Sequence, residues 1–324
     1  MNKTDERRAF DHVYESGARW SVFPSESPDF ICLRDGKPVL GVEVTELWQH
    51  GTDARLSNVS GYFESLLNGG EVIHADDRTT AKVEKIQLIP QDSFEPLEEM
   101  DAIVRPHPSP SECAKLLDAA LTVKEKRVSV YMRRCTQVDL VIDDRSNLFW
   151  FSDFDQLIRP ISSASCRGHV TRSSFREIFL LTYTKKGPKV RVPLKASLLM
   201  EDLLVLEELL AQEAPELCDQ LYSESQSSPI AISVLATALS HISGVVPMIS
   251  VEEGRLGISL GSMTLHWTSE GKIIRDYTCI PEQITAASDQ LLLSSWDAKI
   301  SRTIAGRRNN HQATLALAFP VNSP

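Results

Sequence analysis

No CxxC pair, no HxxxH or HxH group and no apolar run approaching the ~20 residues of a membrane span occurs in this chain. Its six cysteines stand far apart, so neither a zinc site nor a disulfide framework is legible, and reduced, buried thiols are expected. Cations are also in deficit. Thirty-four Lys and Arg against 44 Asp and Glu give a formal charge of −10, which excludes a protein that coats nucleic acid indiscriminately. The first residues, MNKTDERRAFDHVYESG, lack the apolar centre of a signal peptide, and a cytoplasmic location with no membrane partner is expected. What remains is an ordinary globular composition, 42% hydrophobic and 24% charged. Its 324 residues exceed the ~250–300 at which one core stops growing, so two domains are expected.

Periodicity orders the elements. DERRAFDHVYESG reads as a helix with Phe10, Val13 and Tyr14 on one face. WSVFPSE, DFICLRD and KPVLGVEVTEL read as three strands, the last two joined at Arg34-Asp35-Gly36-Lys37. Helical patterning resumes in ARLSNVSGYFESLLNGG, and proline-rich residues 70–110 read as an irregular insertion. Ser109, Pro110 and Glu112 form the start signal of a helix that runs to about Tyr131 and feeds the strand QVDLVID. A basic hairpin, FREIFLLTYTKKGPKVRVPLK, and an acidic helix follow, and SESQSS near residue 225 is the linker candidate. Beyond it come a helix, four strands, a helix from about Pro281 and a last strand, ATLALAFPV. Met263, Leu265 and Trp267 alternate with Thr264, His266 and Thr268, which predicts a sheet buried on one face. GISLG at 257–261 matches a nucleophile elbow, but a strand follows it rather than a helix, so Ser259 is read as structural.

The chemistry concentrates in the hairpin SPDFICLRDGKPVLGVEVTELW. Residues two apart share a strand face, so Glu43 and Thr45 point together, and Asp29 at the start of the partner strand can reach the same side. Two neighbouring carboxylates among residues chosen for burial repel each other and are costly to desolvate. A divalent cation offsets that cost, and Mg²⁺ asks for one or two carboxylates completed by water and phosphate oxygens. At about 100° per residue, Leu117, Leu121, Lys124, Val128 and Tyr131 fall along one line of the later helix. Lys124 therefore lies within an apolar stripe, where an ammonium needs a partner.

The element order, with PDF at 28–30 and EVT at 43–45, resembles the PD-(D/E)xK, or restriction-endonuclease-like, nuclease superfamily over residues 5–145. The resemblance implies an αβββαβ core, with Asp29 and Glu43 as ligands of Mg²⁺ or Mn²⁺. It also implies an acidic metal ligand on the first helix, for which Glu6 stands on the buried face. The superfamily carries lysine where this chain has Thr45. Either Lys124 has taken over that role or the chemistry is lost.

The expected architecture is α/β: a nuclease-like domain over residues 1–160, an extension over 161–225 and an α+β domain of unknown role over 226–324. Between Ser165 and Ala196 eight basic residues face Glu177 alone, and Arg167, Arg172, Arg176, Lys185, Lys186 and Lys189 are the candidate contacts to a DNA backbone. The expected activity is metal-dependent hydrolysis of DNA phosphodiesters, with restriction or phage defence as its context by analogy. A homodimer and a protein partner for the C-terminal part complete the expectations. The alternative is an inactive nuclease-fold binding or regulatory module, favoured by Thr45 and the acidic charge.

Overall fold

The computed structural model describes residues 1–14, 20–89, 98–149, 161, 164–184, 188–223, 229–252, 255–276, 295–308, 317 and 319–321. Helix α1 (Lys3–Val13) is capped by Asn2, whose side chain accepts from the Asp5 amide. Strands β1 (Ser21–Pro24), β2 (Phe30–Arg34) and β3 (Lys37–Leu47) follow as an antiparallel meander. Short helices α2 (Gly51–Asn58), α3 (Tyr62–Leu67) and α4 (Asp77–Thr80) come next. The segment expected to be irregular holds a two-stranded ribbon, β4 (Val83–Leu88) with β5 (Glu98–Ile103). Helix α5 (Pro110–Glu125) opens on the expected capping box, with Ser109 and Glu112 bonding reciprocally, and α6 (Val128–Tyr131) continues it. Strand β6 (Gln137–Asp144) then pairs parallel with β3.

The seven-stranded sheet has the order β1-β2-β3-β6-β7-β8-β13, where β7 is Ile178–Tyr183, β8 Lys189–Pro193 and β13 Phe319–Pro320. The basic hairpin is thus no appendage: β7 pairs parallel with β6, and β8 pairs antiparallel with both β7 and β13. Alternation assigns the two faces. Val42, Val44, Val141 and Phe179 pack with Ala9, Phe10 and Val13 of α1. Leu47, Leu140, Ile142 and Leu180 pack with Leu117 and Leu121 of α5 and with Cys166 and Val170 of α7 (Ala164–Arg172). Each such fully buried aliphatic side chain is worth about 1.5–3 kcal/mol. The layout is a mixed α/β sheet covered by helices on both sides.

A second core gathers α8 (Leu194–Glu213), α9 (Pro215–Asp219), α10 (Pro229–Ser243) and α11 (Ser295–Arg307) with a four-stranded antiparallel sheet of order β12-β11-β10-β9. Its strands are β9 (Met248–Glu252), β10 (Arg255–Leu260), β11 (Met263–Thr268) and β12 (Gly271–Asp276). Strand β11 departs from the one-faced expectation, because all six of its residues are buried. Thr264 meets Ser259 across the pair, hydroxyl to hydroxyl at 2.9 Å, which accounts for polar residues on a covered face. Ser259 lies within β10 and has the structural place expected of it. Residues 277–294 and most of the last expected strand lie outside the described residues. Among the described residues no helix is long and apolar enough to cross a membrane.

Candidate active site

The site forms where β2 and β3 pass between α1 and α5. Asp29 immediately precedes β2, and its Oδ2 accepts from the Val44 amide of β3 at 2.9 Å. The loop holding it is fixed from outside: Arg134 donates to Ser25 Oγ at 2.7 Å and to the Ser27 carbonyl at 3.2 Å. Glu43 lies on the α5 side of β3, with a side chain only 6% exposed. Leu140 sits beside it in the parallel register, and Thr45 sits beside Ile142.

Lys124 of α5 meets Glu43, donating from Nζ to Oε1 at 2.6 Å with its side chain 18% exposed. The lysine placed in an apolar stripe by helical spacing does have a carboxylate partner there, while Lys115 and Lys126 face water. Burial first, and then the negative charge of Glu43, push the Tyr131 phenol upward. Tyr131 is fully buried.

Burial is also the main reason the Asp29 carboxyl is raised above its ordinary value. The Val44 N–H opposes that shift, Glu43 adds to it, and the ammonium groups of Lys3 and Lys124 oppose it. These mutual influences place Asp29, Glu43 and Lys124 in one electrostatic cluster. Glu6 lies on the buried face of α1 as expected, and its Oε2 is 2.9 Å from Lys3 Nζ, which is 3.7 Å from Asp29 Oδ1. Glu6 thus joins the cluster through Lys3, a residue the sequence reasoning did not single out. Only the i,i+3 spacing of Lys3 and Glu6 in the first turn could have signalled it.

Among the described residues no group of three or more His, Cys, Asp or Glu is arranged to hold a metal ion. The donor set offered is a pair of hard carboxylates, Asp29 and Glu43, which suits Mg²⁺ or Mn²⁺. Three acidic groups, Asp29, Glu43 and Glu6, face two ammonium groups, Lys3 and Lys124, so the cluster keeps a negative balance. Glu46 points to the opposite face, where Arg145 Nε lies 3.3 Å from its Oε1.

Among the described residues, the basic segment does not assemble into one free cationic surface. Arg167 bridges Glu201 at 2.9 Å and Asp202 at 2.8 Å, and donates to the Leu198 carbonyl at 2.8 Å. Arg176 pairs with the buried Asp139, which also accepts from the Tyr14 hydroxyl at 2.7 Å. Lys189 sits 2.5 Å from Asp143, and Arg191 pairs with Asp276. Lys195 is buried, donating to the carbonyls of Ser173 and Phe175. Of the six residues expected on DNA, Arg172 is exposed, while Lys185 and Lys186 lie outside the described residues. The charge imbalance along the chain is largely cancelled in space, since Glu201, Asp202, Asp139 and Asp143 answer the cations from other elements. No family model, curated protein or solved structure matches this chain.

Proposed function

We propose that the Asp29–Glu43–Lys124 cluster is a metal-dependent centre for hydrolysis of phosphodiesters, with DNA as substrate. The single observation that carries this reading is the Lys124 ammonium on Glu43 beside the Val44-anchored Asp29. Asp29 and Glu43 would hold Mg²⁺ or Mn²⁺. Such an ion supplies an activated water and stabilises charge on the phosphoryl oxygens. The chain's own groups do the rest. The Val44 amide fixes one Asp29 oxygen, so the second is oriented without rearrangement. Lys124, released from Glu43, would bring a positive charge beside the carboxylates to offset negative charge growing on the phosphate. Thr45 shares the Glu43 face and offers a hydroxyl to hold a water, without the charge a lysine would bring.

Labelled single- and double-stranded DNA and RNA, incubated with the protein in Mg²⁺ or Mn²⁺, test the reading. Cleavage of DNA that EDTA stops is the expected result, and cleavage of RNA alone would move the substrate class. A second reading, an inactive module of this fold that binds or regulates, is favoured by Thr45 and by Lys124 already occupying Glu43. Intact substrates under both metals would select it.

A further inference from the structure

A cavity of about 500 Å³ opens where β3 and β6 end, away from Asp29, Glu43 and Lys124. Trp48 and Phe63 contribute aromatic walls, and Arg105 and Asp53 the polar ones. Its volume falls within the ~300–1,000 Å³ usual for small-molecule sites. Arg145 also lines it, but its charge is consumed by Asp5, Glu46 and Asp143.

Arg105 is different. Its side chain is 13% exposed and its Nη1 pairs with Asp53, yet its Nε and Nη2 are buried and find no acceptor among the described residues. Those two nitrogens form one edge of the guanidinium, the fork whose parallel N–H groups fit two oxygens of a phosphate or carboxylate. Buried donors without acceptors are costly, so a ligand that meets them recovers the loss. Trp48 is held in place by its indole N–H, which donates to Glu46 Oε2 at 3.1 Å. Phe63, which lines the same cavity, is 41% exposed, a large apolar ring left uncovered. A ring held by its own hydrogen bond on the same cavity as an unsatisfied guanidinium edge suits a ligand carrying a planar base and a phosphate together.

We propose that this cavity is a nucleotide site, with the phosphate on the Nε/Nη2 edge of Arg105 and the base against Trp48 and Phe63. It stands independently of the hydrolytic reading, because it uses none of those residues and needs no metal. The nucleotide can come free, as a 5′-mononucleotide, or as the 5′-phosphorylated end of a strand.

Calorimetric titration in EDTA tests the proposal, with adenosine 5′-monophosphate, adenosine, inorganic phosphate, and a short single-stranded DNA with and without its 5′-phosphate. The monophosphate is expected to bind saturably and at least about tenfold tighter than adenosine or phosphate alone, as a charge-assisted bidentate contact plus stacking requires. Arg105→Lys keeps the charge facing Asp53 but removes the fork, and should weaken monophosphate binding about tenfold or more. Trp48→Leu should weaken the monophosphate while leaving inorganic phosphate unchanged. Binding should survive in Glu43→Gln, which separates this site from the carboxylate cluster. Phosphorylated DNA tighter than both the monophosphate and the 5′-hydroxyl strand marks a strand end as the source; the reverse order marks a free nucleotide. The proposal is overturned if wild type binds the monophosphate no better than adenosine. It is equally overturned if Arg105→Lys melts like wild type and binds unchanged. Should Arg105→Lys fail to fold, the selectivity of wild type among the five probes decides alone.

Discussion

Replacing Lys124 by Met removes the ammonium from a carboxylate whose side chain is 6% exposed. Breaking a buried pair from one side costs about 3–5 kcal/mol, because the surviving charge stays buried without a partner. Lys124 itself is 18% exposed and lies near a rim that water can reach, which puts Lys124→Met at the lower end, about 3 kcal/mol. Glu43→Gln should cost less, about 1–2 kcal/mol, since a lysine freed of its partner can extend its stem toward solvent. The double variant should then fall short of the sum by about 1–3 kcal/mol, the coupling expected of contacting charges. Urea unfolding of the four proteins reads these differences as midpoint shifts at constant slope. A second arm asks what the pair is for. Lys124 competes with a cation for Glu43, so Lys124→Met should bind Mn²⁺ more tightly than wild type while losing cleavage. Costs additive within ~0.5 kcal/mol, with Mn²⁺ affinity unchanged, would refute the reasoning.

Further outcomes follow from the same structure. Asp29→Asn should stabilise the protein at neutral pH. The raised Asp29 carboxyl costs stability as pH climbs above the unfolded value of about 3.9, so the gain should vanish below that pH in denaturation curves. Asp77 has the opposite sign. Arg55 first, then the Thr52 and Tyr62 hydroxyls, hold it well below the usual carboxylate range. Its contribution is full above about pH 4 and is lost as pH falls through the lower folded value, so Asp77→Asn should flatten the acid limb of the stability profile. Gly41→Ala places a methyl 2.6 Å from both Cys135 Sγ and Pro28 Cγ, beside the loop that holds Asp29. It should cost about 1–3 kcal/mol in urea unfolding and lower activity more than a distant overpacked site would. Asp139→Ala strands Arg176, whose side chain is only 11% exposed, and leaves the Tyr14 hydroxyl without its acceptor, and a loss of about 3–5 kcal/mol is expected in the same assay.

Local signals were the legible ones. The capping box at Ser109, the turn at Asp35-Gly36 and the inward direction of Lys124 each follow from residues within a few positions of one another, and all three stand in the structure. The pairing of Lys124 with Glu43 was legible too, because a buried ammonium must find an acid and the hairpin supplied one. Long-range cancellation was not. Counting charges from residue 165 to 196 could not show that Arg176 is met by Asp139 of β6, or Lys189 by Asp143 of the same strand. Nor could it place the hairpin inside the first sheet, since parallel pairing of β7 with β6 carries no local signature. Arg105 was hidden for the same reason: one arginine in a proline-rich stretch becomes notable only where β5 leads it back over α2 to Asp53. The β4–β5 ribbon escaped notice because its strands are separated by residues 89–97, with Pro90 and Pro96 near the two ends of the segment.

Conversion of supercoiled plasmid to nicked or linear DNA tests the central claim most directly. Wild type in Mg²⁺ and then Mn²⁺ is compared with Glu43→Gln and Lys124→Met, all three shown to be folded under the assay conditions. The account predicts metal-dependent nicking by wild type that both substitutions abolish. Intact plasmid with every protein and both metals, or nicking that persists unchanged in Glu43→Gln, would contradict it.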